Sequence, residues 1–298
     1  MGKGLKQFWK TGQHQWLISC IIAVAAIIAI AVFLITRAPV EDPQMPQTAA
    51  TPLLESQEIL NQKDVKITAK SLTLANDTTG AILRILVEND TEYPIEIDDP
   101  VLSAVNNIMI SSTLDCTIDP GKKLHKDIIF DYNELTTAGI QDIKNIEFSL
   151  NIYSVKNEGS AKELLYASSP IALRTTIDPD FVQDLVNTAE PFINQDGFSV
   201  SIRAYDSARN TAYVMIQNQT PNNITVSLKN ISLNSERMSD ASGTFSTDIG
   251  AGNTAYAAIP LGKYDSTVKS VSMSFDVLNF KDRTPILSTE MGHFTPAN

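Results

Sequence analysis

The sequence predicts a mainly β protein: two tandem β-sandwiches preceded by one transmembrane α-helix and a Pro-containing stalk. Three observations predict it. The first is the uncharged apolar run "LISCIIAVAAIIAIAVFLIT" (17–36). The second is the proline-bearing stretch that follows it. The third is a set of alternating apolar segments that recurs once at matched spacing. The chain has 298 residues, 43% hydrophobic and 19% charged, which suits about two domains that each bury a core.

Residues 1–16 carry Lys3, Lys6 and Lys10 and no acid, as a cytoplasmic N-terminus would. A helix rising 1.5 Å per residue crosses the roughly 30 Å hydrocarbon core in about 20 residues, and 17–36 supplies that length. The run is longer than the apolar region of a cleavable signal peptide, and "RAPVEDPQMPQ" after it holds no A-x-A cut site. Leu17-Ile18-Ser19-Cys20 has the form of a lipid-attachment box, but most of the apolar run follows Cys20 rather than preceding it. Gly2 lacks the Ser/Thr that myristoylation needs, because Lys6 stands there. An uncleaved anchor fits best. Positive residues stay on the cytoplasmic side, so the N-terminus lies inside the cell membrane and the C-terminal domains lie outside, in a single-pass topology. Trp9 and Trp16 sit at the depth of an interfacial aromatic belt.

The three lysines before the span leave 20 of the 23 Lys/Arg, against all 34 Asp/Glu, for the outer part, a net charge of −14. Such a surface argues against nucleic acid, whose phosphates need basic groups, and against docking on anionic lipid. Of the two cysteines, Cys20 lies in the apolar run, so Cys116 has no partner outside the membrane. With no disulfide framework, the composition points to a bacterial cell surface. The Asn-x-Ser/Thr sequences at Asn76, Asn89, Asn218, Asn223 and Asn230 would matter only in a glycosylating host.

Residues 37–57 carry Pro39, Pro43, Pro46 and Pro52 among Gln, Thr and Ala, an extended stalk reaching on the order of 60 Å. The duplication begins after it. "ILNQKDVKITAKSL" (59–72) is rewritten as "FINQDGFSVSIRAY" (192–205), with Asn61-Gln62 on Asn194-Gln195. "ILVENDTEYPIEI" (85–97) falls on "VMIQNQTPNNITV" (214–226), aligning Asn89 with Asn218 and Thr91 with Thr220. "CTIDPGKK" (116–123) falls on "TDIGAGNT" (247–254), and "IEFSLNI" (146–152) on "VSMSFDV" (271–277). Each copy, 58–176 and 192–298, carries short strands at frequent turn signals, the signature of a β-sandwich of immunoglobulin-like size. Matched alternation places Ile67 with Val200, Val87 with Ile216, Phe148 with Met273 and Leu150 with Phe275 in equivalent, independent cores. One helical turn is expected in the first copy, where Asp131 and Glu134 have capping-box spacing and Gly139 closes the turn. Between the copies, "DPDFVQDLV" (178–186) predicts a short helix within the linker 177–191, with Asp178 as N-cap and an apolar stripe of Phe181, Val182, Leu185 and Val186.

The Asn-Gln openings, the Asn-x-Thr turns and "NELTTAGIQDIKNIEFSLNIY" (133–153) resemble Gram-positive surface proteins with one N-terminal membrane span and tandem immunoglobulin-like repeats of unassigned function. The resemblance covers 59–175 and extends over 192–295. It implies the same architecture and assigns no activity. The cytoplasmic zinc ribbon that many members carry is not in this sequence.

No segment of the sequence assigns a catalytic, cofactor-binding or metal-ligating residue. "GAGNTA" (250–255) has the spacing of a phosphate-cradling turn, but "YAAIPLG" follows where a helix is required. "STVK" (266–269) lacks the companion elements of a Ser-x-x-Lys enzyme. His14, His125 and His293 are too far apart for a zinc motif, and Cys116 alternates with Leu114 and Ile118 as a core residue does. "EIDDP" is the best calcium candidate: alternation puts Glu96 and Asp98 on one strand face, with Asp99 beside them. Against it, the second copy has no carboxylate there, and charge on a strand edge serves to block edge pairing. The expectation is a non-catalytic binding or structural module displayed outside the membrane, with a protein or cell-envelope partner, no cofactor and no nucleic acid. The alternative is an accessory subunit of a transport or secretion complex docked through the span.

Overall fold

The computed structural model describes residues 54–74, 80–155, 162–185, 189–238, 245–264 and 267–296. The segment 1–16, the apolar run 17–36 and the stalk to residue 53 lie outside the described residues. Among the described residues no helix is long and apolar enough to cross a membrane.

The first copy contains β1 (Gln57–Gln62), β2 (Val65–Leu74), β3 (Ala81–Asn89), β4 (Ile95–Ile97), β5 (Val101–Val105), β6 (Ile108–Met109), β7 (Ser112–Thr113), β8 (Cys116–Ile118) and β9 (Lys122–Phe130). After helix α1 (Tyr132–Thr137) come β10 (Asn145–Ser149), β11 (Asn151–Ser154), β12 (Glu163–Ala167) and β13 (Ile171–Arg174). The second contains β14 (Ile193–Gln195), β15 (Phe198–Asp206), β16 (Thr211–Asn218), β17 (Ile224–Leu233), β18 (Glu236–Arg237), β19 (Ser246–Ile249), β20 (Thr254–Pro260), β21 (Val271–Asn279), β22 (Pro285–Ser288) and β23 (Gly292–Phe294).

The repeated Asn-Gln opening is a hairpin. β1 and β2 close on Lys63-Asp64, with φ of 54° and 61°, and β14 and β15 on Asp196-Gly197, with φ of 49° and 81°. Positive φ at both central residues gives a turn whose twist matches that of the flanking strands. One layer of the first copy is β1-β2-β3-β9-β7, and β14-β15-β16-β20 repeats its first four strands. In the second copy the opposing layer pairs the long strands β17 and β21, with β18 and β19 on β17 and with β22 and β23 on β21. In the first copy the same layer is broken into β4 then β5, and β10 then β11. Pro100, which has no N–H to donate, lies in the first break, and the register shifts between Glu147 and Ser149 opposite it. The chain crosses between layers and returns to lay β9 beside β3, and β20 beside β16. This is Greek-key wiring of the immunoglobulin-like kind.

Buried apolar side chains fall into two clusters, one in each copy. The four matched pairs hold along whole strands: Ile67 and Val200, Val87 and Ile216, Phe148 and Met273, Leu150 and Phe275 are all buried. Residues 132–137 form the expected helical turn. Asp131 Oδ1 accepts from Glu134 N (2.8 Å), Gly139 takes φ of 68°, and Ile140 N donates to Leu135 O (2.9 Å). Glu134 does not reach back to its cap; it accepts from Ser111 N (2.5 Å) and Ser111 Oγ (2.9 Å).

Each sandwich is tied at one end by a buried asparagine. Asn89 Nδ2 donates to Tyr93 O (3.0 Å) and Ile118 O (3.0 Å), and its Oδ1 accepts from Thr91 N (3.0 Å) and Thr91 Oγ1 (2.7 Å). Asn218 repeats this, with Nδ2 to Asn222 O (2.8 Å), Ile249 O (3.1 Å) and Gly250 O (3.0 Å), and Oδ1 from Thr220 N (3.1 Å) and Thr220 Oγ1 (2.7 Å). The backbone adds Gly121 N to Asn89 O (2.7 Å) and Gly252 N to Asn218 O (2.8 Å), where φ of 65° and 75° make glycine the fitting residue. The Asn-x-Thr repeat is therefore a clasp between the β3–β4 and β8–β9 turns and their counterparts.

Two expectations are corrected. Residues 178–185 hold a turn at 178–181 and no helix: Asp178 O accepts from Phe181 N (2.9 Å) and Asp178 Oδ1 from Asp180 N (2.8 Å). Of the expected apolar stripe, Leu185 packs on the first core but Val182 is 78% exposed, and a segment this short does not hold a helix on so little packing. Val186 lies outside the described residues. Nor are the copies free of one another. Ile108 pairs with Thr254 in parallel, so one sheet runs β13-β10-β5-β6-β20-β16-β15-β14 through both.

Replacing the fully buried Phe148 with Ala should cost the first core about 3–5 kcal/mol in urea denaturation. The second core should follow by only about 1 kcal/mol, the worth of the few hydrogen bonds that join them. Asn218→Ala removes a donor from three carbonyls, of which Gly250 O keeps Asn253 N and Asn222 O keeps Thr220 Oγ1, and should cost about 1–3 kcal/mol in the same measurement.

Candidate functional site

Besides the clasp, each copy has one turn asparagine that bonds several distant groups, and the first copy's turn lies where the copies meet. Asn106 and Asn107, with φ of 51° and 64°, form the two-residue turn between β5 and β6. Asn106 Oδ1 accepts from Lys144 N (2.8 Å) and Asn145 N (3.3 Å), and its Nδ2 donates to Asp142 O (2.6 Å) and Gln183 Oε1 (3.1 Å). Asn234 and Ser235, with φ of 48° and 73°, turn β17 into β18. Asn234 Oδ1 accepts from Lys269 N (2.7 Å) and Ser270 N (3.1 Å), while Nδ2 donates to Thr267 O (2.8 Å). Sequence reading missed this second duplicated asparagine. Its signal is "AVNN" (104–107) against "SLNS" (232–235), at nearly the same offset from Asn89 and Asn218.

The first hairpin tip lies against the second copy. Thr254 N donates to Asn107 O (2.9 Å), Met109 packs on the second core, and Tyr256 packs on the first. The Arg203 guanidinium stacks 4.2 Å from the Tyr256 ring centroid and donates to Thr137 O (3.3 Å) in the last turn of α1. A cleft of about 410 Å³ opens beside this contact, lined among others by Leu102, Met109, Glu134, Asp248 and Tyr256. Leu102 holds φ of 53°, a strained backbone for a branched side chain, at the bulge where β5 is re-aimed. Both cleft carboxylates are engaged: Glu134 with Ser111, and Asp248 with Thr225 Oγ1 (2.5 Å) and Arg283 (3.5 Å). The cleft offers shape and backbone polarity rather than an acid and a base.

The acidic trio lines a second hollow of about 440 Å³, together with Asp115, Cys116 and Asn151. Glu96 and Asp98 share a face as alternation predicts, but they share it around a cation. Lys162 Nζ lies 2.5 Å from Glu96 Oε1 and 3.2 Å from Asp98 Oδ1, and these bonds hold its ammonium above the usual lysine range. Asp99 turns away to accept from Leu114 N (2.6 Å). Calcium needs six to eight oxygens, and a lysine stands where it would sit. Among the described residues no three His, Cys, Asp or Glu converge on a point.

The remaining sequence candidates are structural. "GAGNTA" is the turn into β20, with no helix after it. In "STVK", Ser266 lies outside the described residues and Lys269 N is bound to Asn234. His293 Nδ1 lies 2.6 Å from Ser272 Oγ across the β21–β23 ladder. Cys116 is buried, and burial pushes its thiol up to about 12, with the Asp115 charge adding to the rise and Lys126 opposing it.

No protein-family model matches the chain, and no curated protein matches it. Solved structures with some likeness include the YadV chaperone, at 12% identity over 78% of this chain and 99% of that one, with a TM-score of 0.25. A chain of the Salmonella enterica SafA pilin–SafB chaperone complex matches at 11% identity over 79% and 98%, with a TM-score of 0.22. The periplasmic chaperone SfaE matches at 14% identity over 75% and 96%, with a TM-score of 0.22. Overlap at these TM-scores says nothing of shared wiring or shared function.

Cys116 should resist thiol reagents in the folded protein at neutral pH and react on unfolding, as timed mass spectrometry would record. Its folded pKa is raised above the reference value of 9.0, so its contribution to stability is full below pH 9 and is lost as pH climbs toward about 12. Melting measured from pH 8 upward should therefore fall less steeply in Cys116→Ala than in the parent chain.

Proposed function

We propose that the chain is a non-catalytic protein-binding module, held at the cell membrane by residues 17–36 with its two repeats, 58–176 and 192–298, outside. The observation that carries the reading is how the polar side chains are spent. In the two hollows Glu96, Asp98, Asp99, Glu134 and Asp248 are tied to backbone N–H, hydroxyl or cationic partners that build the fold, and surface shape and strand edges are the features this reading turns to. The membrane part rests on the apolar run, the lysines before it and the resemblance to single-span Gram-positive surface proteins. Residues 37–57 then act as the spacer that lifts the repeats off the lipid.

Protease added to protoplasts should remove the repeats and leave a membrane-protected N-terminal fragment of about 4 kDa. Recovery of a mature chain beginning after residue 36, or a lipid on Cys20, would overturn the anchor. For the binding part, photocrosslinkers placed along β9 and in the junction cleft of the full chain on living cells should capture a protein at one of them. Captured glycan in place of protein would sink the protein-binding reading.

A further inference from the structure

We infer that the outer edge of β9 docks an extended acidic segment of a partner protein, which adds beside it as a strand. The inference rests on the binding-module reading above and names its site.

The two copies disagree at one equivalent edge. β9 and β20 correspond, since Lys123 stands opposite Glu88 as Thr254 stands opposite Gln217, next to the paired asparagines Asn89 and Asn218. In the second copy this edge is occupied: Asn107–Met109 of the first copy run beside it, through the Thr254 N to Asn107 O bond and the parallel pair Ile108–Thr254. Asn253 and Ala255 are there 3% exposed. In the first copy the edge is bare. β7 covers β9 only at Ile129 and Phe130, and residues 122–128 have no ladder partner on that side among the described residues. By the two-residue period of a strand, the N–H groups of Lys123, His125 and Asp127 point outward as that of Ile129 does.

The side chains give the occupant its chemistry. Lys122, Leu124 and Lys126 stand opposite Asn89, Val87 and Ile85, on the face that elsewhere is core. Yet Leu124 is 45% exposed and Lys122 is exposed, although Val87 and Asn89 opposite them are fully buried. Lys122 and Lys126 make no ion pair among the described residues, whereas Lys123 is paired with Glu88. An apolar contact flanked by unpaired cations on an open edge fits a segment that alternates acidic and apolar residues, which these local charges attract against the net negative charge of the surrounding chain. Lysines also guard edges against random pairing, and the same charges select an acidic entrant over a neutral one.

The test uses the full chain in detergent and a short synthetic peptide alternating glutamate and valine, with a lysine–valine peptide as its counterpart. Hydrogen exchange followed by mass spectrometry should slow in 122–128 and stay unchanged in 254–260 when the acidic peptide is added. Binding should weaken about tenfold in the double variant Lys122→Glu, Lys126→Glu, and should persist in Lys269→Glu. Should the charge reversal lower the melting temperature, Lys122→Gln with Lys126→Gln repeats the comparison. No protection at 122–128, or equal binding of the lysine–valine peptide, overturns the proposal. Concentration-dependent self-association abolished by the charge reversal also overturns it, by making the occupant a second copy. A partner crosslinked on cells that still binds the double variant removes this edge while leaving the binding-module reading in place.

Discussion

The buried amide clasp is the interaction on which the rest of each sandwich depends. A sandwich is two layers held by apolar contact, and apolar contact is non-directional: it sets how much surface is hidden and leaves the layers' offset loose. Asn89 and Asn218 supply direction. Each side chain spans from the end of one layer to the turn that leads back to it, and uses both of its amide hydrogens on backbone carbonyls of the two turns. With that end fixed, the period-two alternation places every inward residue of β3 and β16 against the opposing layer. That the same network recurs in both copies, while the surrounding residues have drifted, marks it as a part that substitution cannot easily replace.

Charged groups play a different part. Outer faces of the strands are laced by pairs between neighbours, among them Lys66 with Glu58, Arg84 with Asp127, and Lys229 with Asp276. These pairs are exposed, and such pairs contribute at most about 1 kcal/mol each. Their role is placement. Lys162 shows it best, since it reaches from beside β12 to Glu96 and Asp98 and turns a cluster that looks ligand-like in sequence into a cross-strand brace.

How much was legible follows from the range over which each signal acts. Hairpins, alternation and the capped turn at Asp131 depend on neighbours within a few residues, and they stand in the structure where the pattern put them. The two sandwich cores were legible because duplication wrote each strand twice, so chance alternation could be set aside. The linker helix failed although its local signals were sound: of its apolar stripe Leu185 packs on the first core, while Val182 stands in solvent, and so short a segment needs more than that to stay helical. Asn106 was overlooked because its partners, Asp142, Lys144 and Asn145, lie far along the chain, and a lone Asn-Asn pair reads only as a turn. The joined sheet was invisible for the same reason: the short backbone pairing of Asn107 and Ile108 with Thr254 leaves no mark on side-chain pattern.

The clasp also decides how the protein can be made. Asn89-Asp90-Thr91 and Asn218-Gln219-Thr220 both satisfy the acceptor sequence for N-linked sugar, and both asparagines are fully enclosed in the finished fold. In a eukaryotic secretory pathway the oligosaccharide is added while the chain is still open. A sugar on Nδ2 would take one of the two amide hydrogens the clasp uses and set a bulky polar group where the layers must close. Material secreted from yeast or mammalian cells would then be trapped short of its native form, whereas bacterial expression leaves both amides free to fold.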